Sequence, residues 1–187
     1  FFGTLALRLK PIEDESVGTA ATDGECIKYN PKWFLKLRDE ERIGLIAHEV
    51  MHVALMHMLR RDHRDPHKWN IAADYVINLA LKKSNFILDG DDPGGCGGVM
   101  DHPSIGDGSA SGKFEADIEI AIQQAAEAAK SMGKLPGHLQ ELIEKALAPK
   151  VDWKMTLARF LRSNNKSDFT WIRPNRRFIA QGMYLPS

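Results

Sequence analysis

The chain has 187 residues, and its 25 basic side chains balance 25 acidic ones. A chain of this length can form one domain with a substantial core, while zero net charge argues against a partner such as nucleic acid or an anionic membrane. Its two cysteines lie outside any C-x-x-C pair, which argues against a disulfide scaffold and a thiolate zinc site. We therefore expect a reducing, cytoplasmic setting and, without an apolar stretch of ~18 to 20 residues, no membrane span.

Two short strands are predicted first, in a small antiparallel or mixed sheet. Residues 5–10 alternate apolar and polar side chains as far as Pro11, which indicates a half-buried strand. The turn signal Asp23-Gly24 precedes a second predicted strand, Cys26–Tyr29.

Two apolar helices are predicted next. The first has Asp39 as its N-cap and continues to about Leu59, because neither glycine nor proline interrupts residues 53–56. The second has Asp65 as its N-cap and Pro66 in its first turn, and residues 82–85 end it.

The second half of the chain is predicted to contain a loop, helices and a tail. Residues 89–112 are dense in Gly, Asp, Ser and Pro, which is typical of a long flexible loop. Helical patterns follow within residues 114–162, over 114–132, 135–148 and 151–161. The tail, residues 163–187, is predicted to be extended. Together these elements predict a single α+β domain over residues 1–187.

The segment GLIAHEVMHVALMH, residues 44–57, places three histidines and one glutamate in an otherwise apolar helix. Such side chains are costly to bury without partners. His48 and His52 are four residues apart, so they project from one helix face about 40° apart and can bind one metal ion. Glu49 lies beside them, where it can accept a proton from a metal-bound water. This is the H-E-x-x-H spacing of zinc peptidases.

A catalytic zinc site usually has a third protein ligand. Asp74 is the single carboxylate of the next helix, on a polar stripe with Asn70 and Asn78. Its rival is His57, which on a continuous helix would point about 180° and 140° away from the two histidines of the motif. We therefore favour Asp74 as the ligand, with orientation of a ligating histidine as its alternative role. Asn70 and Asn78 are expected to be hydrogen-bonding residues of helix packing.

Several stretches together resemble one protein family. They are TAATDGECIKYNPKWF, LIAHEVMHVALMHMLRR, RDPHKWNIAADYVIN, and VDWKMTLARFLRS followed by FTWIRPNRR and YLPS. They are similar to the bacterial and phage metallopeptidase domains that precede a von Willebrand factor A-like domain. The resemblance covers nearly the whole chain.

This resemblance implies a zincin-like fold. In it, a small sheet packs on the H-E-x-x-H helix and on a second ligand-bearing helix, with further helices toward the C-terminus. It also implies zinc ligands at His48 and His52, Glu49 as general base, a third ligand that maps to Asp74, and a von Willebrand factor A-like partner domain after Ser187.

The expected reaction is metal-assisted hydrolysis of a protein or peptide. Zinc lowers the pKa of its water, and Glu49 accepts the proton and passes it to the leaving amine. Cys26–Tyr29 is the candidate edge strand for an extended substrate. Candidates for an oxyanion stabiliser are Tyr75, His63 and His67.

Two other classes of function stay open. A structural zinc site would make the chain a non-catalytic interaction module that works with the von Willebrand factor A-like domain. The basic clusters RRDHR at 60–64 and RPNRR at 173–177, the second with Trp171 beside it, raise a nucleic-acid contact, which zero net charge disfavours.

Overall fold

The computed structural model describes residues 1–88, 98–103, 108–148, 153–164, 176–179 and 182. The chain divides into two compact units, Phe1–Ala148 and Pro149–Ser187. The described elements of the first unit are helix α1 (Phe2–Ala6), strands β1 (Lys10–Glu13), β2 (Ala20–Thr22) and β3 (Cys26–Tyr29), and helices α2 (Pro31–Phe34), α3 (Asp39–Ala54), α4 (His57–Arg60), α5 (Pro66–Lys83), α6 (Gly108–Ser131) and α7 (Gly137–Leu147). Those of the second unit are α8 (Trp153–Asn164) and α9 (Arg176–Ile179). The architecture is α+β as predicted, and the assignment of both units to one domain stays a prediction.

The three named strands form a mixed sheet in the order β1-β3-β2. β1 runs parallel to β3, with Lys10 opposite Cys26, and β2 runs antiparallel to β3, with Ala20 opposite Tyr29. The turn between β2 and β3 contains Gly24 at φ +97°, a backbone conformation that favours glycine. The predicted turn and the predicted strand β3 are both confirmed.

The predicted strand over residues 5–10 is wrong. Leu5 belongs to the short helix α1, and Leu5 and Leu9 are buried whereas Leu7 is 91% exposed. The buried residues therefore repeat every four positions, as in a helical turn, and not every two. Strand β1 begins only at Lys10 and contains Pro11, which this outer strand tolerates because, among the described residues, one of its sides carries no ladder hydrogen bonds.

Helix α3 is shorter than predicted. Its N-cap is Arg38 and not Asp39, and the Arg38 backbone N–H donates to Oε2 of Glu41 at 2.8 Å. At the other end, Met56 adopts a left-handed conformation with φ 51° and ψ 39°, and the separate helix α4 begins at His57. The prediction of one continuous helix is therefore wrong.

Helix α5 begins and ends as predicted. The side chain of Asp65 accepts a hydrogen bond from the backbone N–H of Lys68 at 2.9 Å, and Pro66 occupies the first turn. Beyond the C-terminal end, Asn85 adopts a φ of 62° and the backbone N–H of Phe86 donates to the carbonyl oxygen of Leu81. Such a left-handed residue after a helix is a common way to satisfy its last carbonyl groups.

Part of the predicted loop over residues 89–112 forms regular structure. The backbone N–H of Thr22 donates to the Gly98 carbonyl oxygen at 2.9 Å, and the Met100 N–H donates to the Thr22 carbonyl oxygen at 2.8 Å. This segment therefore pairs with β2, with Val99 opposite Thr22. Helix α6 already begins at Gly108, so the loop ends earlier than predicted. Residues 89–97 and 104–107 of this prediction lie outside the described residues.

The three predicted C-terminal helices are confirmed as α6, α7 and α8, with ends shifted by a few residues. The tail is not wholly extended, since α8 continues to Asn164 and residues 176–179 form α9. Apart from Gly182, the rest of the tail lies outside the described residues. Within the described ranges, none of the helices combines the length and the hydropathy that crossing a bilayer requires.

The core of the first unit forms around α3. Its fully buried side chains include Val50, Met51, Ile77, Leu81, Ile122 and Leu139. Burial of each such side chain contributes roughly 1.5–3 kcal/mol. Gly44 lets the backbone that follows α5 pass close to α3, because a Cβ atom at Gly44 would lie 1.9 Å from the Ile87 carbonyl oxygen. Helices α3 and α5 therefore pack side by side.

Candidate metal centre

Helices α3 and α5 bring three candidate ligands together. The Nε2 atoms of His48 and His52 lie 3.0 Å apart. Oδ1 of Asp74 lies 3.4 Å from Nε2 of His48 and 3.1 Å from Nε2 of His52. One ligand atom from each residue falls within 4.8 Å of the others, which is close enough to surround a single ion. The side chains selected from sequence spacing therefore do converge.

The cluster is fully buried and its hydrogen bonding is incomplete. His48, Glu49 and His52 are 0% exposed and Asp74 is 1% exposed. Among the described residues, Oδ1 of Asp74 and both carboxylate oxygens of Glu49 have no hydrogen-bond partner. Buried groups of this kind are costly unless something compensates them. A divalent cation would satisfy the facing imidazole nitrogens and the carboxylate together, so the residues present fit a metal ion.

Asn78 fixes the protonation pattern of His48. Oδ1 of Asn78 lies 2.9 Å from Nδ1 of His48. Because an amide oxygen can only accept, the hydrogen of the neutral ring resides on Nδ1, and Nε2 keeps its lone pair toward Asp74. The predicted hydrogen-bonding role of Asn78 is confirmed.

His57 lies behind His52 and not in the ligand cluster. Its Nδ1 is 3.0 Å from Nδ1 of His52, whereas Nε2 of His52 faces Asp74. Burial lowers the pKa of His52 to about 4 and that of His57 to about 3. Both rings are therefore neutral near pH 7. The sequence pattern offered His57 as a rival ligand but did not indicate this contact, because the left-handed Met56 that creates it has no local sequence signal.

Asp74 is ionised and held by a second asparagine. Burial raises the pKa of Asp74, but the imidazoles of His48 and His52, 3.4 and 3.1 Å from its Oδ1, together outweigh burial and bring that pKa below its usual 3.8. Oδ2 of Asp74 accepts from Nδ2 of Asn70 at 3.4 Å, and Oδ1 of Asn70 accepts the Val99 backbone N–H at 2.9 Å. The predicted hydrogen-bonding role of Asn70 is also confirmed, and Asn70 joins α5 to the segment beside β2.

Glu49 is a buried carboxyl group with unusual proton affinity. Burial, together with the nearby charge of Asp74, raises the pKa of Glu49 well above its ordinary value of 4.5. A carboxyl group with a raised pKa can hold a proton near neutral pH and release it to a reacting group. The arrangement thus combines two imidazoles, one carboxylate and a carboxyl group with a raised pKa.

The three candidates for an oxyanion stabiliser do not join this cluster. Tyr75 is 58% exposed on α5, and His63 and His67 are exposed before and at the start of that helix. The candidate substrate strand is also wrong as an edge, because β3 pairs with β1 on one side and β2 on the other. Strand order depends on contacts between distant segments, which the sequence pattern of β3 does not encode.

Comparison with known proteins agrees with the motifs. A model of the family described as "Putative metallopeptidase domain" matches residues 1–94 and again residues 92–187. The two matches together span the chain and confirm the resemblance at the level of the family. No match was found among curated proteins or among solved structures. The von Willebrand factor A-like neighbour stays a prediction.

Proposed function

Because this chain belongs to the family described as "Putative metallopeptidase domain", we propose that it is a zinc-dependent peptidase with Glu49 as its general base. One observation supports the proposal above all: His48, His52 and Asp74 converge in a buried cluster with unsatisfied carboxylate oxygens. A zincin-like fold, with the ligands on two neighbouring helices, is part of the same proposal.

His48, His52 and Asp74 would hold the ion. Two neutral imidazoles and one carboxylate are a ligand set found in catalytic zinc sites, and three protein ligands leave a fourth position open. A bound zinc ion supplies a Lewis acid that makes water more acidic and polarises a peptide carbonyl group. Asn78 and Asn70 orient His48 and Asp74 through hydrogen bonds at 2.9 Å and 3.4 Å.

Glu49 would hold and move the proton. A cation beside Glu49 favours its ionised form, in which it can accept a proton from water. Once protonated, Glu49 could donate that proton to the leaving amine. Neither carboxylate oxygen is tied to another described residue, so the group is available for this transfer.

A peptidase domain implies a protein substrate. Extended peptides commonly add to an outer strand of a sheet, and β1 and β2 are the outer named strands. Thr22 of β2 already pairs with Gly98 and Met100, so a peptide that added there would have to displace this segment.

A non-catalytic, metal-stabilised interaction module is the second candidate function. The full burial of His48, Glu49 and His52 favours it, because a structural site needs no access for substrate. The nucleic-acid alternative lacks comparable support. Two arginines of the first basic cluster already have partners within the chain. Nε of Arg61 donates to Oδ1 of Asp101 at 3.1 Å, and the Arg64 guanidinium lies 5.1 Å from the Trp69 ring centroid.

Zinc content and hydrolysis of an unfolded protein, measured together, test the proposal. Glu49→Gln keeps all three ligands, so it should bind zinc like the wild type and lose about 10²- to 10⁴-fold in hydrolysis rate. Glu40→Gln, an exposed change in the same helix, is the matched control and should hydrolyse like the wild type. Equal hydrolysis by wild type and Glu49→Gln would overturn the peptidase. Zinc binding with no hydrolysis by the wild type would support the structural module.

A further inference from the structure

His57 contacts the candidate metal centre without being one of its ligands. Its Nδ1 lies 3.0 Å from Nδ1 of His52. On its other side, the His52 ring directs Nε2 toward Oδ1 of Asp74 at 3.1 Å. The His52 ring is therefore held between a carboxylate and a second imidazole.

The position of a single hydrogen decides what His57 can do. A neutral imidazole carries one N–H, and a nitrogen that binds a metal cannot carry it. If Nε2 of His52 binds the ion, the hydrogen of His52 resides on Nδ1 and points at Nδ1 of His57. His57 must then accept this hydrogen bond, and its own hydrogen resides on Nε2.

We propose that His57 is a positioning residue of the metal centre, which fixes the tautomer and the ring orientation of His52 by accepting the hydrogen bond of its Nδ1–H. This role rests on the metal centre of the proposed function, but not on peptidase activity. Asn78 has the same relation to His48, because in each pair the Nδ1 atom of the candidate ligand faces a neutral acceptor at 2.9 or 3.0 Å.

The backbone is shaped to create this contact. On an unbroken helix, His57 would point about 140° away from His52. Met56 takes a left-handed conformation that residues other than glycine rarely adopt, and this ends α3 and turns the chain back. Because Met56 is itself buried, the turn belongs to the packed core and does not fray from the surface.

Trp69 of α5 holds His57 in place. Its Nε1–H donates to the carbonyl oxygen of His57 at 3.1 Å, and the two rings meet edge to face with centroids 5.8 Å apart. His57 is only 7% exposed, so few water molecules can compete for its hydrogen bonds. An acceptor fixed in this way can orient a ligand, whereas a mobile surface histidine could not.

Two substitutions separate the acceptor from the ring. His57→Phe keeps a ring beside Trp69 and removes the acceptor, whereas His57→Asn returns a neutral oxygen acceptor close to the position of Nδ1. We would measure the zinc dissociation constant of each purified variant by chelator competition, the absorption spectrum of its cobalt form, and its melting temperature without metal. His57→Phe should weaken zinc binding by about 10- to 100-fold, and His57→Asn should restore most of this loss.

Unchanged zinc affinity in His57→Phe would overturn this role. The role would also be overturned if both variants lost the same zinc affinity and these losses followed their melting temperatures, because that result would indicate an effect of packing alone. If the wild type binds no zinc, both the proposed metal centre and this role of His57 are wrong. If the wild type binds zinc and substitution of His57 does not change its affinity, only the role of His57 is wrong.

A measurement on the wild type does not depend on how the variants fold. In the zinc-loaded chain, ¹⁵N–¹H correlation spectra of the histidine rings should show His52 protonated at Nδ1 and His57 protonated at Nε2. A hydrogen on Nδ1 of His57 would overturn the proposal.

Discussion

Replacement of Gly44 by alanine should destabilise the fold, although alanine is normally the better helix residue. Gly44 lies inside α3 and is buried. A Cβ atom there would stand 1.9 Å from the Ile87 carbonyl oxygen and 3.3 Å from Cδ2 of Leu88, whereas Cβ atoms essentially never approach closer than 3.0 Å. The nearest atom is backbone and cannot rotate away, so α3 or the chain after α5 must move.

The size of the effect follows from two opposing contributions. Alanine in place of glycine in a helix gains about 0.8–1.0 kcal/mol. Overpacking of a buried position costs about 1–3 kcal/mol, and a clash with backbone belongs at the upper end. We expect the free energy of unfolding to fall by about 1–2 kcal/mol, which lowers the melting temperature by roughly 2–8 °C in a chain of this size.

The assay is urea and thermal unfolding followed by circular dichroism, with a chelator present so that metal binding does not contribute. Gly112→Ala is the matched control, because Gly112 is an exposed residue of α6 and a Cβ atom there meets nothing within 4 Å. This control should gain up to about 1 kcal/mol. The reasoning is refuted if Gly44→Ala is as stable as wild type while Gly112→Ala behaves as expected.

Three further outcomes are expected. Exposed Asn85 has a φ of 62°. In urea titrations, Asn85→Gly should be at least as stable as wild type, whereas Asn85→Val should lose about 1–2 kcal/mol of the free energy of unfolding. Equal stabilities of the two variants would contradict this. Burial raises the pKa of the Cys26 thiol to about 11. In a Cys96→Ser variant, the folded chain should therefore react with iodoacetamide at pH 8 far more slowly than the same chain unfolded in urea. Similar rates would refute the burial argument. Free zinc at 100 times its dissociation constant should add about 2.7 kcal/mol to the free energy of unfolding, and persistence of this gain in Asp74→Ala would exclude Asp74 as a ligand.

Local signals predicted helix α5 well. Asp65 and Pro66 define its start because capping involves groups within one turn of each other. The spacing of Asn70, Asp74 and Asn78 places them on one helix face, and the structure finds Asp74 and Asn78 beside His48. Capping hydrogen bonds and helical periodicity involve residues a few positions apart, so they can be recognised from the sequence alone.

The errors arise where distant segments decide the conformation. Residues 5–10 are too few to distinguish a repeat of two from a repeat of four, and burial of Leu5 and Leu9 against other elements selects the helical turn. The break at Met56 involves neither glycine nor proline, and Met56 is buried, so contacts with distant segments and not local sequence select its left-handed conformation. Its consequence, the contact of His57 with His52, was therefore out of reach of sequence reasoning.

Asn70 connects the sheet to the candidate metal centre through a single amide group. Its oxygen accepts the Val99 N–H, and its nitrogen donates to Asp74. Protection of the Val99 amide against hydrogen exchange therefore depends on the same side chain that supports Asp74. Deuterium uptake at this one backbone position therefore reports whether the side chain that supports the third candidate ligand is in place.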